Sequence, residues 1–263
     1  MTQSYTSDDL KQLFGYPFQD IRWKHKFLIG SLVVLAGFII PLIPFCFVYG
    51  YMAQIMRRII VEEGDPYLPE WDDWGQLFMD GLKLLGAILL YSLPIIVLFF
   101  AAYILFFAMI GLSAAATGAA ESAGDAASAL VAIGPLVGIL FFCVAFAVIM
   151  IFSLALGLLS PAIMGHVVAT SEFSAAFRIR EWWSIFRANI GGFLIAYVVV
   201  LAISVAFSFG ISLIYLTIIL CCFLPFILAP ATVYMLAIYG VVFAEAYRDG
   251  VQKLKNLSSF NRT

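Results

Sequence analysis

Residues 57–83 read RRIIVEEGDPYLPEWDDWGQLFMDGLK, and they lie between two long stretches that carry no charge at all. The segment holds seven acids (Glu62, Glu63, Asp65, Glu70, Asp72, Asp73, Asp80) and three bases (Arg57, Arg58, Lys83), a local net charge of −4. The uncharged flanks decide the fold. Thirty residues without charge separate Lys26 from Arg57, and 37 separate Lys83 from Glu121. Further on, 46 separate Asp125 from Glu172, and all 56 residues of 189–244 are uncharged. About 20 apolar residues suffice for one helical crossing of a bilayer. Each run can therefore enter a membrane, and the last can cross twice.

The whole composition agrees. Of 263 residues 64% are apolar and 11% charged, with a mean hydropathy of +1.05, whereas soluble domains carry about 25% charged residues. Backbone groups in hydrocarbon must bond one another, which leaves helices or closed barrels. Continuous apolar runs, rather than alternation every second residue, select helices. The expected fold is an all-α integral membrane protein. It has four long transmembrane helices, a Pro-broken first hydrophobic element and two Trp-bearing interfacial amphipathic helices. A net charge of −2 implies no nucleic-acid partner. The N-terminus MTQSYTSDDLKQLF lacks the positive region of a cleaved signal peptide.

Residues 1–26 form a cytoplasmic lead-in, in which Ser7 caps a short amphipathic helix that Tyr16-Pro17 ends. Arg22, Trp23, Lys24, His25 and Lys26 then make a cationic, aromatic collar at the membrane edge. The membrane domain, 27–247, begins with a run broken at its centre by Pro41 and Pro44, candidate hinge or pathway residues. This run either crosses once as a kinked helix or enters and leaves on one face as a re-entrant hairpin. The hairpin puts all fourteen Lys and Arg on one face; a crossing sets Lys11, Arg22, Lys24 and Lys26 opposite the other ten. The positive-inside rule favours the hairpin, with both termini cytoplasmic.

The second run, 84–112, crosses once with a kink at Pro94. Residues 111–129, rich in Ala, Gly and Ser, read as a loosely ordered or weakly helical external loop. A third run covers 130–168, a second polar loop 170–188, and a fourth helix 190–220. A turn at 221–230 precedes a fifth helix, 231–247, and the basic tail 248–263. An internal echo pairs Trp74-Gly-Gln-Leu-Phe78 with Trp182-Trp-Ser-Ile-Phe186, a weak repeat of the kind common in transporter folds.

Within the polar loop, Pro69 suits the first turn of a helix. Glu70, Asp72 and Asp73 then meet the positive end of its dipole. Trp71, Trp74, Phe78, Leu82 and Leu85 form its apolar face. The expectation is an amphipathic helix in the headgroup zone that turns into the second membrane helix.

G-Y-x-x-x-I-M-R-R over 50–58, then L-P-E-W-D-D-W-G-x-L-F-x-D-G-L-K over 68–83, resembles the signature of an uncharacterised prokaryotic polytopic membrane-protein family, a domain of unknown function. Tyr16-Pro-Phe-x-Asp20 and Trp23-x-x-Lys26 are similar to that family as well. The resemblance is specific over 14–95 and only hydropathic beyond. It implies a bacterial or archaeal cytoplasmic membrane, and brings no catalytic residue, substrate or cofactor.

Three function classes compete. An accessory or scaffold subunit would bind a basic protein partner through Glu70, Trp71, Asp72, Asp73, Trp74 and Asp80, with membrane lipids around it. The competing reading of those acids is that they only solvate a helix start. A small transporter or channel for a neutral or lipid-like substrate would be built around Pro41 and Pro44. Such pathways usually carry intramembrane ionisable residues, and the runs offer only His166 and, near an end, Glu245. An intramembrane enzyme is the weakest reading. Ser160 and His166 are about 240° apart around a helix, so they form no dyad. The acids match no calcium-loop spacing. Cys46, Cys143, Cys221 and Cys222 all lie in apolar runs, where a free thiol behaves as a small hydrophobe. No cofactor or metal is expected.

Overall fold

The computed structural model describes residues 7–123, 125–215 and 223–260, and no strand occurs among them. They fall into two compact units, one of residues 1–88 with 158–263 and the other of residues 89–157.

The first unit opens with α1 (Ser7–Gly15) and a single 3-10 turn, Tyr16–Phe18, at the expected Tyr16-Pro17 break. The first apolar run forms two helices, α2 (Trp23–Ala36) and α3 (Ile43–Ile60). They are divided at 37–42, with Pro41 in the break and Pro44 in the first turn of α3, where a missing N–H leaves nothing unpaired. Leu42 takes φ +73°, a region that residues with a Cβ seldom adopt. That strain accompanies a chain reversal made in six residues. Phe38, Ile39, Ile40 and Leu42 are all exposed there, so the tip of this helix pair is apolar.

α4 (Trp74–Ala123) and α5 (Asp125–Thr170) follow. Then come a 3-10 segment, Phe173–Phe177, and the short α6 (Ile179–Ala188). α7 (Ile190–Tyr215) and α8 (Leu224–Phe260) complete the order. In the first unit α8 is the hub, packing against α1, α2, α3, α6 and α7. The reason is visible in α3, where Val48, Met52, Ile55, Met56 and Ile59 repeat at helical spacing and are all almost fully buried. α8 answers with Val233, Ala237, Ile238, Val241 and Val242.

α3 also crosses the start of α4 at backbone contact. A Cβ on Gly50 would lie 1.8 Å from the Leu77 carbonyl oxygen, and one on Gly81 would lie 1.6 Å from that of Cys46. Only glycine permits that approach.

The second unit pairs the part of α4 from Leu89 onward with the part of α5 up to Gly157. Ala102, Ser113 and Ala116 on α4, with Gly134, Gly138 and Ala145 on α5, are buried along the seam. Phe106 and Phe142 meet between them, centroids 5.3 Å apart. Small residues let helices approach closely where lipid offers no hydrophobic drive. The outward positions, among them Val97, Ile104, Leu140 and Ile151, are large, apolar and exposed.

Four helices are long and apolar enough to cross a membrane: Trp74–Thr117, Ile133–Thr170, Ile190–Tyr215 and Leu224–Leu257. The chain is a helical membrane protein.

Several boundaries differ from the sequence reading. Residues 63–73 are not helical, so the helix expected from Pro69 begins at Trp74. Its buried side is Leu77, Asp80, Gly81, Leu84 and Ala87, while Leu82 is exposed. Residues 111–123 prolong α4 and 125–129 begin α5, because an alanine-rich stretch extends a helix already formed. α4 runs through Pro94 without interruption, as α8 does through Pro230. The turn expected at 221–230 is helical from Leu224, and the tail beyond Tyr247 stays helical to Phe260. Cys221 and Cys222 lie outside the described residues.

Gly81→Ala forces α3 and α4 apart and should destabilise by about 1–3 kcal/mol or more. Gly191, with no atom within 4 Å of an added Cβ, should accept Ala with little change. Thermal unfolding of both variants in detergent makes the comparison, and equal melting temperatures would refute the backbone contact.

Candidate docking surface

The polar loop is organised from a lysine. Lys26 closes the first turn of α2 and is 3% exposed. Its ammonium donates to Asp20 Oδ2 (2.6 Å) and to the Leu68 carbonyl oxygen (2.6 Å), and it pairs with Glu70 Oε1 at 2.9 Å. An ammonium has three protons, and three acceptors surround this one. Arg22 reaches the same Glu70 oxygen at 2.8 Å.

The Trp71 indole continues the joint. Its N–H donates to the Lys26 carbonyl oxygen at 3.0 Å, and its ring stacks on Tyr51, with centroids 4.4 Å apart and planes at 9°. Tyr51 in turn donates to the Pro69 carbonyl oxygen at 3.1 Å. Residues 68–71 are thereby bound to both α2 and α3. The Lys26 hydrogen bond holds the Asp20 carboxyl below the usual carboxylate range, aided by the Arg22 N–H.

The six docking residues expected from the sequence divide in two. Glu70 is engaged by Arg22 and Lys26. Trp71 is buried. Asp80 is buried as well, paired with Arg57 at 2.8 Å and Lys83 at 3.5 Å. Asp72, Asp73 and Trp74 are exposed. Asp73 Oδ1 accepts the Gln76 N–H at 3.0 Å, which makes it the N-cap of α4. Asp72 Oδ1 accepts the Asp73 N–H. Trp74, 41% exposed, rests edge-on against Phe47. Glu62 pairs with Arg58, while Glu63, Asp65, Asp72 and Asp73 make no ion pair among the described residues. Three of the loop's seven acids are thus paired, while Glu63, Asp65, Asp72 and Asp73 stay exposed with no ion pair among the described residues; Asp72 and Asp73 are the two that adjoin an exposed indole, Trp74. Pro41 is exposed in the apolar turn and Pro44 is buried at the start of α3.

A second polar cluster forms around His166, which the sequence singles out without showing its partners. His166 near the end of α5 is buried, with Nδ1 2.9 Å from the Tyr247 hydroxyl and Nε2 3.0 Å from Glu181 Oε2. Asn189, between α6 and α7, donates to the Ala246 carbonyl oxygen at 3.0 Å and accepts from Lys253 at 2.6 Å. Both groups tie α6 and its flanks to α8. Their sequence separations of 15 to 81 residues follow no helical period. The Asp73 cap was readable, since Asp followed three residues later by Gln is a helix-start pattern. Among the described residues no group of three His, Cys, Asp or Glu could hold a metal ion.

Residues 33–216 match the profile of a family described as a protein of unknown function, DUF4013. The chain belongs to this family. No curated protein and no solved structure matches it. In this DUF4013 protein the matched residues run from the last turn of α2 through α7. Lys26 and α8 lie outside them.

The depressed Asp20 pKa makes its contribution full above the ordinary carboxylate value of about 3.9, and lost as pH falls through the lower folded value. The thermal stability of the wild type should fall as pH drops through the acid range. Asp20→Asn should start lower near neutrality and lose less over the same interval. Parallel profiles would remove the Lys26–Asp20 bond as the cause.

Proposed function

We propose that this DUF4013 protein is a non-enzymatic accessory or scaffold subunit of a prokaryotic cytoplasmic membrane that docks a basic segment of a partner protein on Asp72-Asp73-Trp74. The observation that carries this reading is the contrast within one loop. Glu62, Glu70 and Asp80 are neutralised by the chain's own cations, while Glu63, Asp65, Asp72 and Asp73 are exposed with no ion pair among the described residues, and Asp72 and Asp73 adjoin a half-exposed indole. The loop is also held in place by the Lys26 and Trp71 bonds, and a preorganised surface loses less entropy when it binds. Lys or Arg on the partner would meet the two carboxylates, and Trp74 offers a cation a ring face.

The proposal includes a topology in which α2 and α3 form a re-entrant hairpin. Two observations support it: Trp71 bridges Lys26 at the start of α2 to Tyr51 in α3, and the tip at 37–42 is apolar and exposed. In this arrangement the first turns of α4 and the whole of α6 lie at the headgroups, the termini are cytoplasmic, and the LPEWDDWG stretch is the mark the family shares. The transporter alternative uses the same break as a pathway for a neutral or lipid-like substrate. The exposure of Phe38, Ile39 and Ile40 favours insertion of the tip into lipid over lining a path.

Two measurements test these statements. In a cysteine-free background, single cysteines at Ser4 and Ser122 should be labelled from opposite faces; labelling from one face ends the hairpin topology. Purification in mild detergent with mass spectrometry should recover a stoichiometric partner that Asp72→Lys with Asp73→Lys releases. Recovery of the protein alone, or of the same partner with the charge-reversed pair, would count against docking here.

A further inference from the structure

α6 has two unlike faces. Trp182, Ile185 and Phe186 are buried against the protein, while Arg180, Trp183 and Arg187 are exposed. At 100° per residue the two arginines fall within about 20° of one another, and Trp183 lies between them within about 60°. Seven residues at 1.5 Å each put the arginines about 10 Å apart along the axis. The outward ridge of α6 is therefore Arg–Trp–Arg.

Neither Arg180 nor Arg187 makes an ion pair among the described residues. The acid carried by α6, Glu181, is already engaged by His166 at 3.0 Å and lies 4.0 Å from Arg178. Arg178 itself is bonded to Glu172. The ridge thus offers two guanidinium groups and an indole with no internal partner for the charges.

Its position says what meets it. One residue, Asn189, separates α6 from α7, which is apolar enough to cross a membrane. Arg187 consequently sits within a turn of the start of an apolar helix of membrane-spanning length. Trp is enriched at that depth, and guanidinium binds phosphate oxygens two at a time.

We propose that the Arg180–Trp183–Arg187 ridge is a binding site for the phosphate headgroup of an anionic phospholipid in the leaflet that α7 enters. Each guanidinium holds phosphate oxygens, and the indole packs against the glycerol backbone between them. The site is independent of Asp72-Asp73-Trp74.

Full-length protein in neutral detergent is titrated with dioleoyl phosphatidylglycerol or dioleoyl phosphatidylcholine, and retained lipid is counted by native mass spectrometry. The wild type should retain phosphatidylglycerol in preference to phosphatidylcholine. Arg180→Gln with Arg187→Gln should lower apparent phosphatidylglycerol affinity roughly 30-fold, from the worth of two basic residues at an anionic surface. Its phosphatidylcholine retention should fall less, because that lipid carries the same phosphate without a net negative charge. Lys at both positions should keep part of the preference, because charge survives and the paired hydrogen bonds do not. Three results would overturn the site. One is a wild type without preference, which needs no variant to fold and would leave the ridge to an acidic protein surface. Another is a Gln pair that keeps the wild-type preference. The third is displacement of the lipid by an equal concentration of glycerol phosphate, which would make the ligand a soluble phosphate.

Discussion

A buried ammonium cannot stay charged without acceptors for its protons, and the polar side of this protein is built around meeting that condition at Lys26. Asp20 supplies one acceptor from before α2, and Leu68 and Glu70 supply two from the loop after α3. The arrangement ties together residues 48 positions apart, through Arg22 and Glu70 as well as Lys26. Trp71 completes it by bonding to the Lys26 carbonyl oxygen and stacking on Tyr51. The path of residues 68–71 follows from the acceptors that the cation requires.

The same demand changes what the acidic loop can be. A cluster of seven carboxylates suggests a strongly negative patch, but Glu62, Glu70 and Asp80 each meet a cation of this chain. Buried or half-buried carboxylates are stable only with such partners. What is left exposed and without an ion pair among the described residues is Glu63, Asp65, Asp72 and Asp73, the last two beside Trp74. On the other polar loop the balance is reversed, since Glu181 is held by His166 and the unpaired groups are Arg180 and Arg187. The two loops present opposite charge on similar Trp-bearing segments, and a single kind of partner does not suit both. The echo between them is only partial: Leu77 and Ile185 are both buried, but Trp74 is exposed where Trp182 is 3% exposed.

Much of the architecture was legible because it follows from local chemistry. The break at Pro41 and Pro44, the end of α1 before Pro17, and the long apolar helices are consequences of backbone donors and hydropathy. Boundaries that depend on a distant partner were not legible. A helix starting at Pro69 satisfies every local preference, yet it sets Trp71 on the same face as Trp74. The extended path of 63–73 lets Trp71 turn inward to Tyr51, and Asp73 caps the helix that then begins. Likewise the helix end expected near Tyr247 gives way to a longer α8, whose Lys253 meets Asn189.

By itself the sequence determined that this is a helical membrane protein with its charge confined to a few loops. Hydrocarbon tolerates only internally bonded backbone, and the uncharged runs are long enough to enter it. Only the tertiary structure decided which charges remain available. Pairing depends on which loops α8 and the α2–α3 pair bring together, and contacts 48 to 81 residues apart leave no periodic trace in the chain. The segment 57–83, a block of acids on paper, is in the folded protein a braced loop with four exposed carboxylates that make no ion pair among the described residues, two of them beside an exposed indole.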